Sequence, residues 1–206
     1  MTISMTISMR DIIQDATARS HTRFDAAIRR VDLRRPDDYA SFLRSQAEAL
    51  FPLEAALEHH GIGELLPDWE QRRRTPALEH DLAALDTGVD PLPVPELRRG
   101  GDHPTPEMLG VLYVLEGARI SARVILARIA DEPDARIIAA TAYLRHGFGR
   151  RLWPSFLATL ESNSAARAHP ARVITGAQIG FGLFERALVP TASTTEQRAA
   201  GHVQAA

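Results

Sequence analysis

The segment from Pro104 to Ala130 restricts the fold of this chain more than any other. It reads PTPEMLGVLYVLEGARISARVILARIA, opening on prolines that suit a helix start and ending shortly before Pro133. Its apolar residues cover nearly every side of a helix rather than one stripe, so the helix must lie inside the molecule, surrounded by other elements. It does not read as a membrane span. The longest strongly apolar run, Met108 to Leu115, ends at Glu116, well short of the about 20 residues a crossing needs. The same helix carries Gly110, Gly117, Ala118, Ser121 and Ala122 at near-helical intervals. Glycine inside a helix costs about 1 kcal/mol relative to alanine. Small residues let something come close to the backbone, and that can be another helix or a flat ligand. Spacing alone leaves both open.

The remainder of the chain is also patterned as helix. Ile12, Ile13, Ala16, Phe24, Ile28 and Val31 recur with a helical period from about Met9 to Val31, and His21 falls on the same side as Thr17, Phe24 and Ile28. Pro36 and Asp37 open a second helix that Gly61 closes, with Pro52 a point where it can kink. TPALEHDLAALD reads as a short amphipathic helix, and TGVDPLPVPELRRGGDHPTP as a long surface loop. Further helices are expected near Asp134–His146, Arg150–Glu161 and Ala171–Leu188. No alternating strand pattern occurs, and no repeat beyond the N-terminal MTISMTISM. The expectation is an all-α, single-domain fold over residues 9–189 around one central buried helix. Residues 1–8 read as a disordered, tag-like extension, with the true start at Met5 or Met9. Residues 190–206 read as a disordered polar tail.

Composition narrows the chemistry. The chain has no cysteine, and all 24 of its basic residues are arginine. Thiolate catalysis, disulfides, cysteine-ligated metal clusters, Schiff-base lysines and the phosphate-loop lysine are thereby excluded. The formal net charge of -2 gives no basic surface of the kind nucleic acid demands. Arg72-Arg73-Arg74 and Arg98-Arg99 are too short to read as anything but solvated faces. MTISMTISM lacks a charged start and an apolar block and so does not read as a secretory signal, and the expected compartment is the cytoplasm.

Of the eight histidines, seven read as surface or loop residues: His59, His60, His80, His103, His146, His169 and His202. None forms a zinc-type pair with an attendant carboxylate. His21 differs because it sits on the inward face of a helix. It can be a buried histidine bonded to a neighbour or an axial ligand to iron. Asp25, one turn along the same helix, is placed to accept the second ring N–H, as ligating histidines commonly require.

YVLEGARISARVI, Tyr113 to Ile125, closely resembles the distal-helix motif of bacterial biliverdin-producing haem oxygenases of the bacteriophytochrome-associated type, Tyr-Val-Leu-Glu-Gly-Ser-x-Leu-Gly-Gly/Ala-Arg. ATARSHTRFD is similar to that family's proximal segment, Ala-Thr-x-x-x-His-x-x-Leu-Asp. DDYASFLRSQAEALFPLEAAL, LPDWEQRRRTPALEHDLAALD and GAQIGFGLFERAL follow the family in the same order, so the likeness runs from about Arg10 to Leu188.

The resemblance implies haem held between the first helix and the central one. His21 then matches the proximal iron ligand, with Phe24 and Asp25 beside it. Gly117, Ala118 and Ser121 fall where the distal helix crosses the porphyrin. Tyr113 falls near a propionate, and Phe184 on an aromatic of the last helix. Arg150 is the arginine expected to pair with a propionate. Haem would be cofactor and substrate, opened to biliverdin, carbon monoxide and ferrous iron by dioxygen and electrons from an external donor such as a ferredoxin or a reductase. A bacteriophytochrome would be the recipient of the product.

Two departures bear on this. Ser121 stands where the motif has its first Leu-linked glycine, and Ala118 where it has serine. Ser121 can narrow the pocket, or its hydroxyl can bond water or a backbone carbonyl. An alternative is therefore a protein that binds haem or another tetrapyrrole without cleaving it, as carrier or sensor. A third is a scaffold of this fold without haem.

Overall fold

A computed structural model describes residues 7–97, 103–130 and 134–188. Residues 1–6, the Arg98-Arg99 pair, Pro133, the tail from residue 189 and His202 lie outside the described residues. Among the described residues the chain is helical with no strand. Four long helices dominate: α1 (Met9–Arg29), α2 (Pro36–His59), α5 (Thr105–Ala130) and α10 (Pro170–Ala187). Shorter ones join them: α3 (Ile62–Leu65), a 3-10 turn (Trp69–Gln71), α4 (Thr75–Ala84), α6 (Ala135–Ala139), α7 (Ala142–Arg145), α8 (Leu152–Ser162) and α9 (Ser164–Ala168).

The central helix is α5. Met108, Leu109, Val111, Leu112, Val114 and Leu115 are all buried. Its principal neighbour is α10, which also packs along α1 and α2. The approach of α5 to α10 explains one part of the small-residue stripe. A Cβ on Gly110 would collide with the Val173 carbonyl and the Ala177 nitrogen, and one on Gly176 with the backbone of Glu107. Two glycines, one from each helix, let the backbones touch.

Direct contact between α1 and α5 is almost absent, though both rest on α10. They are tied at one end, where the Arg128 guanidinium donates to the carbonyls of Ile28 (3.3 Å) and Val31 (2.9 Å) and satisfies the last turn of α1. At its other end α1 is tied to α8 instead, where the Glu161 carboxylate accepts the N–H groups of Met9 and Arg10, and Ser8 Oγ accepts that of Asp11. Ser8, read above as extension, is thus the N-cap of α1. Away from the Arg128 tie, α1 and α5 are held apart.

Four expectations need correction. Arg72 and Arg74, expected on a solvated face, are buried, because their guanidinium groups donate to the carbonyls of Leu152 and Leu115. The helix expected over 134–146 is two helices, because the Asp81 carboxylate takes the N–H groups of Ala142 (2.9 Å) and Tyr143 (2.8 Å). The Ala140 carbonyl meanwhile accepts from the Tyr39 hydroxyl (2.7 Å). Those bonds replace the intrahelical ones at the break. The Pro-rich loop is no free excursion, since Leu97 is buried and the Leu92 N–H bonds the Glu48 carbonyl. His146 is half-buried and bonded rather than a surface residue, as described below.

Candidate functional site

The gap between α1 and α5 is a cavity of about 450 Å³, inside the roughly 300–1,000 Å³ range of small-molecule sites. From α1 it is lined by Arg10, Gln14, Thr17, Ala18, His21, Thr22, Phe24 and Asp25, and from α5 by Tyr113, Val114, Gly117, Ala118, Ile120 and Ser121. Gln46 of α2, Trp153 of α8, and Phe181 and Phe184 of α10 complete the wall.

The α1 side follows from helix geometry. Residues 14, 17, 18, 21, 24 and 25 share a face at 3.6 residues per turn. Thr17 is buried, its hydroxyl returned to the Ile13 carbonyl at 2.7 Å. The His21 side chain keeps 58% of its surface accessible, because its ring opens on the cavity. Nδ1 of His21 pairs with the Asp25 carboxylate at 3.1 Å. Asp25 then favours the Nδ1–H tautomer and leaves Nε2 as the ring nitrogen for a ligand. The ring meets Phe181 edge-on at 6.0 Å, and Phe24 meets Phe184 at 5.7 Å. These contacts hold α1 to α10 with aromatic surface toward the cavity.

On α5, Gly117 behaves unlike Gly110. A Cβ there would reach only the Trp153 ring, at 3.8–3.9 Å, which is ordinary contact. No protein atom demands a glycine at 117, so the space it leaves belongs to the cavity. The small-residue stripe thus has two causes: helix packing at Gly110, and an open wall at Gly117, Ala118 and Ser121. Tyr113 packs edge-to-face on Trp153 at 5.5 Å. Burial pushes its hydroxyl pKa up, with the nearby Arg10 charge opposing and Asp11 reinforcing.

Among the described residues one buried side-chain polar atom lacks a hydrogen-bond partner. Gln46 is buried; its Oε1 accepts from the Tyr143 hydroxyl at 3.3 Å, while its Nε2 has no partner. A buried unpaired donor costs about 1–3 kcal/mol, and Gln46 lines the cavity. An imidazole nitrogen, an apolar aromatic wall, a helix backbone stripped of side chains, an unpaired amide donor and a cation (Arg10) suit a flat, largely apolar, anionic ring system carrying a metal.

Eight of the residues singled out from sequence line this cavity together: His21, Phe24, Asp25, Tyr113, Gly117, Ala118, Ser121 and Phe184. Arg150 does not join them. It is exposed and its Nη1 donates to Gln71 Oε1 at 2.7 Å, outside the lining. The arginine that does line the cavity is Arg10, one face-repeat before Gln14 on α1. Gln46, Trp153 and Phe181 were also missed. Gln46 had a signal, a lone amide within the buried run SFLRSQAEALF of α2.

A family model described as "Heme oxygenase" matches residues 8–189. The chain belongs to the heme oxygenase family. Among curated relatives, a "Heme oxygenase" of Xanthomonas campestris is 32% identical over 158 residues, covering 76% of this chain and 92% of that protein. "Heme oxygenase PigA" of Pseudomonas aeruginosa is 28% identical over 152 residues, covering 72% and 74%. A crystal structure of NO- and CO-bound heme oxygenase from Neisseria meningitidis superposes with a TM-score of 0.72 at 20% identity, covering 89% of this chain and 91% of that one. That last likeness shows the all-α fold, which heme oxygenases share.

Proposed function

We propose that this protein degrades haem to biliverdin, carbon monoxide and ferrous iron, using dioxygen and electrons from an external donor such as a ferredoxin or a reductase. The observation that carries the proposal is the placement of the His21–Asp25 pair and the bare backbone around Gly117 on one cavity. Family membership supports the same reading.

Haem, when bound, supplies the iron and the redox chemistry of ring opening. The chain's residues position and protect it. His21 would offer Nε2 to the metal, and Asp25, by holding Nδ1–H, keeps the ring oriented. Phe24, Phe181 and Phe184 exclude water from that side. Gly117 and Ala118 let the α5 backbone lie against the ring plane. Gln46, whose Nε2 has no partner within the described residues, would give the site a polar group where the chain lacks an acid at Ala118. Arg10, with the Tyr113 hydroxyl beside it, meets the carboxylates at the cavity's edge, the part assigned above to Arg150.

A carrier or sensor of haem without cleavage is the second reading. Ser121 favours it, because its side chain occupies cavity wall where the resembled motif has glycine. A cytoplasmic protein supplying biliverdin to a bacteriophytochrome fits the distal motif and the cysteine-free composition. No helix among the described residues is long and apolar enough to cross a membrane.

Mixing the purified protein with haemin, then adding ascorbate or a ferredoxin system, tests the proposal. A Soret complex that converts to biliverdin is expected. A complex that persists under reductant and oxygen would establish the carrier reading, and absence of any complex would sink both.

A further inference from the structure

Glu116 interrupts the most apolar helix of the molecule, and the cavity does not use it. It is turned about 100° around α5 from Gly117, with only 2% of its side chain accessible. Two guanidinium groups share it. Arg72 Nη1 stands 3.2 Å from Glu116 Oε2, and Arg119 donates through Nε to the same oxygen at 3.0 Å and through Nη2 to Oε1 at 3.1 Å. Arg72 is itself fully buried; it donates to the Leu152 carbonyl (3.0 Å) and to Ser155 Oγ (2.7 Å). Those two residues flank Trp153 at the start of α8. Arg119 donates to the Arg72 carbonyl and contacts His146 Nδ1 at 3.0 Å, just before the turn that leads into α8. Burial and the neighbouring Arg74 pull Arg119 below the usual guanidinium range, and Glu116 opposes them.

One carboxylate thus joins α5 to the root of Trp153, whose ring stands over the neighbouring Gly117. Without that carboxylate Arg119 would lose its ion-pair partner, Arg72 would keep only Asp68 (2.7 Å), and the two buried cations would repel each other. The two walls they anchor would then separate.

We propose that the buried Arg72–Glu116–Arg119 cluster is a positioning device that holds the Gly117–Ser121 stretch of α5 at a set distance from Trp153. Its consequence for turnover rests on the reading of the cavity as a haem site; its structural claim does not. Glu116 is a positioning residue and touches no substrate.

The chain has two tryptophans, so Trp69→Phe leaves Trp153 as the sole reporter. In that background, without haemin, Glu116→Gln keeps the shape of the side chain and removes its charge. Acrylamide quenching of Trp153 is expected to rise about twofold or more, as for a side chain freed from its packing. With haemin and reductant, biliverdin formation should fall by roughly tenfold, the scale of a small misplacement of walls that hold a reactant. Glu107→Gln is the control. It breaks an equally buried ion pair with Arg172 on the same helix, far from Gly117. It should lower the unfolding midpoint but leave Trp153 quenching and turnover unchanged. Should Glu116→Gln fail to fold, Arg119→Met, which keeps the Arg72–Glu116 pair, carries the same measurements.

Quenching that stays at the wild-type level, or that rises equally in Glu107→Gln, overturns the proposal. Absence of a haemin complex in the unmodified protein would sink the functional reading alone, because the quenching arm is measured without haemin.

Discussion

His21 and Asp25 stand one turn apart on α1, and their 3.1 Å pairing decides which imidazole nitrogen can meet a metal. His21→Ala should therefore remove the axial-ligand signature from the haemin spectrum; a spectrum identical to wild type would end the assignment of His21 as ligand. Ser121 poses the opposite question, of room rather than reach. Its hydroxymethyl group lies in the cavity wall. Ser121→Gly should raise the rate of biliverdin formation if that group crowds the ring, and single-turnover absorbance traces at equal haemin loading would show it. An equal or lower rate means the hydroxyl helps, through water or a carbonyl. Both residues were visible in sequence because periodicity put each on a face of its own helix and the resemblance to the family assigned those faces to haem. Gln46 and Arg10 were harder to see. What marks them is a neighbour on a different helix, Tyr143 for one and the cavity's edge near Tyr113 for the other. Arg150 was chosen for its charge, and charge says nothing of direction; Gln71 holds it elsewhere.

At the scale of elements, the periodicity of α1, α2, α5 and α10 was legible because each buries a long apolar face, and that pattern survives without knowledge of partners. The break between α6 and α7 was not, since it depends on a carboxylate from α4, Asp81, that no local pattern reveals. The small-residue stripe of α5 shows the same divide. Its existence could be read, but its two causes could not, because they differ only in what faces each glycine. The distinction has a measurable sign. Gly110→Ala would drive a methyl group into the α10 backbone. Such overpacking costs about 1–3 kcal/mol and should lower the unfolding midpoint of the haem-free protein by about 5 °C or more. Gly117→Ala meets only the Trp153 ring at ordinary distance. It should leave that midpoint equal or raise it, since alanine is the better helix former by about 1 kcal/mol, yet weaken haemin binding. Calorimetry of the haem-free variants beside haemin titrations would separate the two. Equal destabilisation by both would mean that Gly117 serves packing after all.

For the whole molecule, the same ion cluster that braces α5 predicts how stability depends on pH. His146 sits half-buried between α7 and α8. Burial, first, and then the Arg119 charge lower its pKa from 6.5 to about 4, with Arg74 and Arg150 adding to the effect and Glu116 opposing it. Its Nδ1 is free to accept from Arg119 only while neutral. The unfolded chain, whose histidine titrates near 6.5, therefore binds more protons than the folded one between pH 6.5 and about 4. Stability contributed by neutral His146 is complete above pH 6.5 and is lost as pH falls toward 4. Because the ring is partly solvated, the loss should be about 1–2 kcal/mol rather than the full equivalent of the shift. Asp68 and Asp134, whose carboxyls are held below the usual range by Arg72 and Arg136, push in the same direction at lower pH, and Asp81, raised by burial, pushes against them. His146 is separated from these by difference. In His146→Gln the amide keeps a polar contact with Arg119 but cannot take up a proton. Urea unfolding at pH 7 and pH 4.5 should then show a smaller fall in stability for the variant than for the wild type, by about 1 kcal/mol. Identical falls in the two proteins would mean that His146 does not hold its proton off in the folded state, and that the Arg119 contact does not depend on its neutrality.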